Sequence, residues 1–375
     1  MEKFDLIVIG SGSGLDVANA VSEKGLKVAI IEKYKLGGTC LNQGCIPSKL
    51  LIHSADIMEM IRGSDTFGIT VKEYSIDFQK IVNRVNKIVD TDANKIKKWL
   101  QENKNPRLFL EECRFIGEKK IALSNNEIIT ADKILIASGT RPFIPIIKGV
   151  ENVKYMTSNE ALRLKQQPKI LTIIGGGYIA CELGHFFGSL GTTINIIQRN
   201  NCLIPNEDID ISTKITEIFS KKYNIYLGYN AEQVYCDSIN NNSNNNQQNI
   251  IVIAKNKNGD SIKIISDQLL IATGRIPNSD LLNIQKSGVK INEKGFIIVN
   301  KYLETNIEGI FALGDAVGKY QFKHNANNEA QYAYNNIINP ERKISVDYAA
   351  MPHAIFSNPQ IAGVGYTEQE LKKIK

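Results

Sequence analysis

The chain has 375 residues, of which 43% are hydrophobic, and a formal net charge of +6 at pH 7. A chain of this length and composition is expected to form two or three domains with separate hydrophobic cores. No apolar run approaches the ~20 residues of a transmembrane helix, and the lysines are spread along helix faces, as at Lys95, Lys97 and Lys98. We therefore expect neither a membrane partner nor a nucleic-acid partner.

A strand–turn–helix–strand unit is predicted at the N-terminus. Phe4–Ile9 and Lys27–Ile31 are short apolar strands, and Leu15–Lys24 between them has a helical pattern. Glycines at such a turn let the backbone approach a pyrophosphate, and an acid about 20 residues later binds a ribose hydroxyl. Glu32 is that acid, whereas Leu15 replaces the third glycine of G-x-G-x-x-G, so local packing is expected to differ. The turn glycines are Gly10, Gly12 and Gly14.

Two cysteines, Cys40 and Cys45, follow this unit and are separated by four residues. Lys3 and Asp5 leave no apolar run ahead of the first strand, so we expect no secretory leader and a cytoplasmic location. Intracellular disulfides are mostly transient and catalytic, which favours a redox couple. Two unrelated thiols or half of a zinc site are the alternatives. No metal site is predicted, because the histidines are not grouped and the other cysteines are scattered at Cys113, Cys181, Cys202 and Cys236.

A second dinucleotide unit is predicted further along the chain. Lys169–Ile174 and Thr193–Ile197 are apolar strands, and the segment after the first of them fits G-x-G-x-x-A, beginning at Gly175 and closing at Ala180. Two such units predict two dinucleotides and hydride transfer from one to the other. The alternative is two glycine-rich turns without ligands, which does not explain why each lies between a strand and a helix.

Two further segments are predicted from their patterns. Ile76–Glu102 is expected to be a long amphipathic helix. The polar run Asn240–Asn249 is expected to be a disordered hairpin loop without function, because it contains too little apolar surface to order itself. The apolar positions of the predicted helix Ile76–Glu102 are Ile81, Val85, Ile88, Val89, Ile96 and Leu100.

With these motifs the chain resembles the pyridine nucleotide–disulfide oxidoreductases over essentially its whole length. The resemblance implies an α/β fold with two Rossmann-like three-layer ββα domains of the glutathione-reductase type, which bind FAD and NAD(P). It implies an FAD-binding domain over 1–149, an NAD(P)-binding domain over 150–272 and a return to the FAD or central domain over 273–344. Besides the glycine turns, the matching segments are Gly37–Lys49, Ile136–Pro142, Ile271–Asn278 and Ile310–Ala316.

The segment Met351–Gly365 resembles the first strand of the family's α+β dimerisation domain, so 345–375 is expected to be only the start of that domain. The chain therefore looks C-terminally truncated, without the family's His–Glu pair. The full-length form is expected to be a homodimer. For this chain we expect FAD binding and diaphorase activity but little dihydrolipoamide turnover. Its apolar strand residues are expected to be poorly covered, namely Ile355, Phe356, Ile361 and Val364.

The resemblance also assigns roles to individual residues. Cys40 would be the thiol that attacks the substrate, and Cys45 the thiol that faces the flavin. Lys49 would lie near the flavin and pair with Glu182, with a solvated helix lysine as the alternative. Tyr178 would cover the nicotinamide pocket, or else be a packed core tyrosine. The other implied cofactor-binding residues are Gly10, Gly12, Gly14, Glu32, Lys33, Gly38, Thr39, Ser138, Gly139, Gly175, Gly177, Gln198, Arg199, Gly274, Arg275, Gly314 and Asp315.

The substrate and the coenzyme are predicted from finer features. Ile46 and Ser48 resemble the dihydrolipoamide dehydrogenase form of the cysteine motif, with a small-molecule or lipoyl-domain dithiol as substrate. Mycothione reductase is next, and glutathione and mercuric reductases are further alternatives. Gln198 and Arg199 stand where NAD-specific members have an acid, which favours NADP(H) and leaves NAD open. A different class, an FAD- and NAD(P)-binding module that passes electrons to quinones or oxygen, is the second hypothesis.

Overall fold

The computed structural model describes residues 1–237 and 249–374. The predicted asparagine-rich loop lies outside these residues except for Asn249, which begins a strand. Most predicted elements are present with shifts of one to three residues at their ends. The helices of the described residues are α1 (Gly14–Ser22), α2 (Gly38–Gln43), α3 (Cys45–Gly63), α4 (Phe78–Asn103), α5 (Ser158–Ala161), α6 (Tyr178–Ser189), α7 (Ile209–Lys222), α8 (Lys323–Ile338) and α9 (Glu368–Ile374).

The strands alternate with these helices in both glycine-turn units, as expected for nucleotide-binding α/β folds. In chain order they are β1 (Glu2–Ile9), β2 (Val28–Ile31), β3 (Arg107–Phe109), β4 (Cys113–Gly117), β5 (Lys120–Leu123), β6 (Ile128–Ile136), β7 (Thr140–Pro142), β8 (Ile170–Ile174), β9 (Thr193–Gln198), β10 (Asn224–Leu227), β11 (Tyr229–Asp237), β12 (Asn249–Asn256), β13 (Ser261–Ser266), β14 (Gln268–Ile271), β15 (Arg275–Pro277), β16 (Ile310–Ala312), β17 (Pro352–Ile355) and β18 (Ile361–Val364).

The first of two compact units comprises Met1–Ile46, Ile88–Arg141 and Arg275–Met351. Its seven-stranded sheet has the order β3-β2-β1-β6-β5-β4, and β16 pairs with β6. The pairs among β3, β2, β1, β6 and β16 are parallel, and β4, β5 and β6 form an antiparallel meander. The chain order reverses at β1, whose carboxyl end is therefore the place where such sheets bind a ligand.

Both faces of this sheet are buried, which explains the nearly continuous apolar run of β1. Ile7 and Ile9 pack in one hydrophobic cluster, and Leu6 and Val8 pack in the other. Successive strand residues point to opposite faces, so one short apolar segment contributes to two cores. Packing on both faces thereby fixes the carboxyl end of β1, which leads into the glycine turn.

The second unit comprises Pro47–Lys87, Pro142–Gly274 and Pro352–Lys375. Its parallel sheet has the order β10-β9-β8-β14, and β11, β12 and β13 form an antiparallel meander. A parallel sheet, an antiparallel meander and the helices α6 and α7 are the parts of the predicted three-layer ββα arrangement. The domain boundaries predicted from the sequence remain a prediction.

The apolar positions predicted for the long helix differ in burial. Ile88, one of them, is 37% exposed, and Val82, which was not among them, is 1% exposed. Val82, Val85 and Val89 are spaced three and four residues apart, so they define the buried stripe, and Ile88 lies beside it. The helical lysines Lys95, Lys97 and Lys98, by contrast, are exposed as predicted.

The expectation of poor covering at the C-terminal hairpin β17–β18 is wrong at two positions. Ile355 is 2% exposed and Ile361 is 7% exposed, whereas Val364 is 63% exposed. The hairpin is held within the second unit by an ion pair between His353 and Glu207, with 2.8 Å between His Nε2 and a carboxylate oxygen. None of the helices in the described ranges is long and apolar enough to cross a membrane.

Candidate active site

The two cysteines of the motif lie on either side of one tight turn. Cys40 belongs to α2 and is half-buried, and Cys45 is the first residue of α3 and is exposed. Gly44 separates the two helices, and a Cβ atom there would lie 2.9 Å from the Thr39 carbonyl oxygen and 3.4 Å from Cys40 Cα. Only glycine fits so close to the preceding backbone. The spacing of the motif therefore reflects a compact helix–turn–helix connection.

Asn42 stabilises the approach to this turn. Its Nδ2 atom donates to three carbonyl oxygens, those of Lys35 at 3.3 Å, Leu36 at 2.8 Å and Gly38 at 3.0 Å. The side chain is buried, so these bonds are shielded from water. Asn42 was not predicted as a site residue. Its position between the two cysteines of the motif is the feature that could have indicated it.

Helix α3 carries the next two features of the motif. Pro47 is buried in the first turn, where its missing N–H costs no hydrogen bond. The positive end of the helix dipole lies at Cys45, which favours negative charge there. Lys49 follows one turn later, with its side chain 33% exposed.

Lys49 and Glu182 form the predicted ion pair. Lys49 Nζ donates to both Glu182 carboxylate oxygens at 2.8 Å, and the Glu182 side chain is 7% exposed. The backbone N–H of Phe356 donates to Glu182 Oε1 at 2.9 Å, and Lys49 Nζ lies 4.9 Å from the centre of the Phe356 ring. The buried carboxylate thus accepts three hydrogen bonds from two donor groups, and the ammonium gains a cation–π contact. Sequence analysis placed Phe356 on an apolar strand but missed this contact.

The first glycine turn has the close backbone packing that a dinucleotide site requires. Gly10 has φ +102°, and a Cβ there would lie 2.3 Å from the Ala137 carbonyl oxygen. A Cβ at Gly14 would lie 2.8 Å from Val8 Cγ1. Gly14 therefore provides the close helix–strand packing expected of the third glycine, one position earlier than the usual pattern.

Glu32 is joined to this turn through Ser11. The Ser11 backbone N–H donates to Glu32 Oε2 at 3.0 Å, and Ser11 Oγ donates to the same oxygen at 2.7 Å. Ser11 Oγ in turn accepts a bond of 3.1 Å from the Gly37 N–H. Ser11 is fully buried and links the turn, the acid and the start of the cysteine motif. It was missed because a serine between two glycines has no distinctive pattern.

Residues around this turn fit an FAD group. Ser138 Oγ and Gln321 Nε2 are among the buried polar atoms that have no hydrogen-bond partner within the described residues. Buried polar groups are nearly always paired, so these atoms are available to a polar ligand. A Cβ at Gly12 would meet only Gly38 Cα, at 4.0 Å, which means that the protein itself does not require glycine there. Gln321 was not predicted from the sequence.

Gly12→Ala is expected to separate flavin binding from folding. The variant should melt within about 2 °C of the wild type in the flavin-free state, because the added methyl group meets no protein atom closely. Its FAD affinity should fall at least about tenfold, because the backbone can no longer approach the pyrophosphate closely. Calorimetry of the apoprotein and fluorescence titration with FAD measure the two effects. Gly10→Ala is the contrasting variant and should impair folding itself. Unchanged FAD affinity in Gly12→Ala would contradict the assignment of this turn.

Asp315 lies in a buried polar network at the end of β16. Thr140 Oγ1 donates to Asp315 Oδ2 at 3.0 Å, and Arg275 donates to Thr140 Oγ1 at 2.7 Å and to the Thr140 carbonyl oxygen at 2.8 Å. Burial raises the pKa of Asp315, while the positive charge of Arg275 and the Thr140 bond oppose that rise. The structure therefore brings together two predicted residues, Arg275 and Asp315, through Thr140.

Glu329 supports the same turn and was not predicted. It is fully buried in α8, accepts a 2.5 Å bond from the Gly314 N–H, and accepts a 2.7 Å bond from the Tyr348 hydroxyl. Burial raises the pKa of Glu329, in spite of the hydrogen bonds from Tyr348, Gly314 and Asn325. Its signal in the sequence was weak, since an acid in a helix is usually exposed.

The second glycine turn repeats the packing of the first. Gly175 has φ +110°, and a Cβ there would lie 2.3 Å from the Ala272 carbonyl oxygen. Gln198 is buried and donates to the Cys202 carbonyl oxygen at 3.3 Å, while Arg199 is exposed. The exposed guanidinium is thus accessible to an anionic group. Tyr178 is half-buried and begins α6.

The other predicted cofactor-binding residues differ in exposure and in backbone conformation. Lys33 and Thr39 are exposed. Gly139, Gly274 and Gly314 have positive φ angles of +64°, +123° and +68°, and Gly38 has +65°. Gly177 caps the N-terminus of α6. Cofactor roles for all of these residues remain predictions.

A family model described as pyridine nucleotide-disulphide oxidoreductase matches residues 4–330. The chain belongs to this family. A mercuric reductase from Staphylococcus aureus is 35% identical over 99% of this chain and 66% of its own length. A mycothione reductase from Mycobacterium tuberculosis is 33% identical over 99% of this chain and 79% of its own length. A dihydrolipoyl dehydrogenase from Chlamydia trachomatis is 33% identical over 97% and 76% respectively.

A solved structure from a flavoprotein disulfide reductase has the same fold as this chain. The Cu(II) complex of the HOCl-induced flavoprotein disulfide reductase RclA from Escherichia coli superposes with a TM-score of 0.85 at 28% identity, covering 100% of this chain and 80% of RclA. The predicted family and flavoprotein disulfide reductase fold are therefore confirmed. The family is FAD-dependent and binds NAD(P), which confirms the predicted cofactors. The chain spans just under two thirds of the mercuric reductase.

Proposed function

We propose that this protein is an FAD-dependent dithiol/disulfide oxidoreductase that moves electrons between NAD(P)(H) and the Cys40–Cys45 pair, with dihydrolipoamide as its substrate. The observation that carries the proposal is the Gly44 turn, which joins the helix of Cys40 to the N-terminus of the helix that Cys45 begins. Two cysteines on such a turn at a helix N-terminus are the arrangement that dithiol–disulfide exchange uses.

The exchange chemistry is assigned to the two cysteines. In the reducing direction the Cys40 thiolate attacks one sulfur of the substrate disulfide, and the other sulfur leaves as a thiolate. The Cys45 thiolate then attacks Cys40, which releases the second substrate thiolate and forms the Cys40–Cys45 bond. The pair loses two electrons, and the substrate gains them and two protons. With dihydrolipoamide every step runs in reverse, and NAD(P)⁺ finally takes up a hydride.

FAD, when bound, supplies the two-electron relay between the nicotinamide and the cysteine pair. Gly10, Gly12, Glu32 and Asp315 are assigned to hold it, with Ser138 and Gln321 as further polar contacts. The grounds are the close-packed glycine turn and the buried atoms Ser138 Oγ and Gln321 Nε2, which are among those without a partner in the described part of the chain. The second turn, Gly175 to Tyr178, is assigned to NAD(P).

Lys49 is assigned to the flavin side of the site. Helix α3 places it one turn after Cys45, and Glu182 holds its ammonium group through both carboxylate oxygens. An ammonium fixed in this way stabilises negative charge that develops nearby without reorganisation. The pairing supports this role over a solvated helix lysine.

Dihydrolipoamide is favoured as the substrate by the cysteine motif. Overall identity does not separate the candidates, because the mercuric reductase, mycothione reductase and dihydrolipoyl dehydrogenase relatives are 33–35% identical. Ile46 and Ser48 resemble the dihydrolipoamide dehydrogenase form. Ser48 is buried, and its Oγ accepts a 3.2 Å bond from Lys49 Nζ, so this position belongs to the polar site.

A single-turnover experiment tests the substrate directly. The oxidised protein is mixed with dihydrolipoamide, reduced mycothiol or glutathione, and the appearance of reduced flavin is followed. We expect dihydrolipoamide to react at least about tenfold faster, since a dithiol closes its own ring as the second sulfur leaves. Faster reduction by mycothiol, or Hg(II)-dependent NADPH oxidation as the dominant activity, would contradict the proposal.

Arg199→Glu is expected to lower NADPH use much more than NADH use. The exposed arginine is assigned to the 2′-phosphate, and a carboxylate would repel that group. A charge-assisted contact is worth about 1.5–3 kcal/mol, so discrimination should change roughly ten- to a hundredfold. The ratio of kcat/KM for the two coenzymes with a quinone acceptor measures it. Lys214→Glu, on an exposed position of α7, is the control. An equal response to both coenzymes would remove Arg199 from the site.

A further inference from the structure

The Lys49–Glu182 pair is the first of three polar contacts between helices α3 and α6. Asp56 Oδ1 lies 2.8 Å from His185 Nε2, and Glu59 Oε1 accepts a 2.9 Å bond from Ser189 Oγ. The residue numbers rise together along both helices, so the three contacts form a single seam. We call these contacts, Lys49–Glu182, Asp56–His185 and Glu59–Ser189, the α3–α6 seam.

The seam is buried on the α6 side. His185 and Ser189 are each 1% exposed, and Glu182 is 5% exposed. His185 Nδ1 also lies 3.0 Å from Ser189 Oγ, so the second and third contacts are joined into one chain of hydrogen bonds. A carboxylate only accepts hydrogen bonds, so His185 Nε2 donates to Asp56. Removing the α3 partner of a contact would leave a buried polar group on α6 without its bond.

Two cations keep the far end of the seam in place. Lys222 Nζ, at the end of α7, lies 2.8 Å from Glu59 Oε2, and Arg62 Nη1, on α3 itself, lies 2.9 Å from Glu59 Oε1. Burial alone would raise the pKa of Glu59, but the bonds from Lys222 and Ser189 outweigh it and lower the pKa overall. Burial and the nearby Glu59 charge raise the pKa of Tyr223, which bonds to Ser189, to about 12. Glu59 is thus an ionised anchor for Ser189.

We propose that His185 is a positioning residue, which with Asp56 and Ser189 fixes the register of α6 along α3 and so holds Glu182 against Lys49. The inference rests on the proposed function, because it concerns the lysine assigned to the flavin side. Glu182 and His185 are three residues apart on α6, and Ser189 is four further, so they share one face. On α3, Asp56 is two turns beyond Lys49. A slip of either helix would break all three contacts together.

Chemical labelling of Lys49 in the FAD-bound protein tests this proposal. Trace acetic anhydride acetylates accessible lysine amines, and an amine whose Nζ donates to both oxygens of a buried carboxylate reacts slowly. Lys49 is 33% exposed on its side chain and is within reach of the reagent. Mass spectrometry gives its labelling rate relative to the other lysines. In His185→Leu we expect the rate to rise at least about threefold, in the same direction as in Glu182→Gln.

Matched variants make the result specific. Phe187→Leu disturbs the same helix, because Phe187 is fully buried and its ring stacks 6.0 Å from Phe78, but Phe187 takes part in none of the seam's hydrogen bonds. It should lower the melting temperature without raising Lys49 labelling. His185→Gln, whose amide still donates to Asp56, should restore at least half of the protection. His185→Leu combined with Glu182→Gln should label no faster than Glu182→Gln alone.

Three results would overturn the proposal: unchanged labelling in His185→Leu, an equal rise in Phe187→Leu, or additive effects in the double variant. If His185→Leu does not fold, Asp56→Ala, which removes the acceptor of His185 Nε2 at a partly exposed position, decides the question by the same labelling rate. Labelling needs no disulfide substrate, so failure of the proposed dithiol chemistry would leave this result unaffected. Conversely, the wild-type protein could turn over its substrate normally while Lys49 is acetylated as fast as in His185→Leu. That result would reject only the positioning role.

Discussion

Replacing Cys40 or Cys45 by serine is expected to lower disulfide or dithiol turnover by about 10³-fold or more. A serine hydroxyl neither ionises near neutral pH nor forms a disulfide, so the exchange steps lose their nucleophile. Oxidation of NAD(P)H with a quinone acceptor should survive in both variants, since it needs only the two nucleotide sites. Single-turnover reduction of the flavin by dihydrolipoamide and the steady-state rate with a quinone measure the two activities side by side.

The other cysteines provide the control for this experiment. Burial raises the pKa of Cys113 to about 12, so its thiol is inert at neutral pH, and Cys113→Ser should leave both activities unchanged. The two motif variants should also differ from each other. Cys45→Ser should abolish the long-wavelength absorption that a thiolate beside oxidised flavin produces, and Cys40→Ser should retain it. The opposite pattern would exchange the two assigned roles.

Lys49→Met is expected to cost about 2–3 kcal/mol of unfolding free energy. The variant leaves the Glu182 carboxylate, 7% exposed on its side chain, without its cation. Loss of one partner from a fully buried pair costs about 3–5 kcal/mol, and we reduce this because Lys49 is one-third exposed. Unfolding of the second unit by denaturant, compared between wild type and variant, measures the change in unfolding free energy. Lys49→Met should also slow reduction of the flavin by dithiol, because the assigned ammonium group is gone.

Two further variants test the cause of that destabilisation. Lys49→Met combined with Glu182→Gln should be more stable than Lys49→Met alone, because a neutral amide still accepts from the Phe356 N–H and leaves no buried charge. Lys95→Met is the matched surface control. Its pair with Asp92 is 72% and 44% exposed, so it should change stability by less than about 0.5 kcal/mol. Equal losses in Lys49→Met and Lys95→Met would show that the buried pair contributes little.

The strands and glycine turns were predictable because their signals are local. The apolar run before Gly10 and the run before Gly175 each identify a strand that leads into a turn, and both are present. Ile88 was predicted as one of the apolar positions of the long helix, but it lies beside the buried stripe of Val82, Val85 and Val89. Burial at the edge of a stripe depends on which neighbour packs there, which one sequence cannot specify.

The site was predictable where residues stand in a recognisable motif and unpredictable where distant segments meet. Lys49 and Glu182 are 133 residues apart, and only the family resemblance linked them. Phe356, Glu329 and Gln321 belong to no such motif, and their contacts depend on how the chain returns to the site. His185 illustrates the same limit, since a lone histidine in an apolar helix gives no hint that Asp56 lies against it.

Anaerobic reductive titration of the purified protein tests the central claim most directly. If Cys40 and Cys45 form a redox pair that exchanges electrons with bound FAD, the oxidised protein should take up about two two-electron equivalents per flavin. The Cys40→Ser/Cys45→Ser double variant should take up about one. Uptake of a single equivalent by the wild-type protein, equal to that of the double variant, would contradict the account.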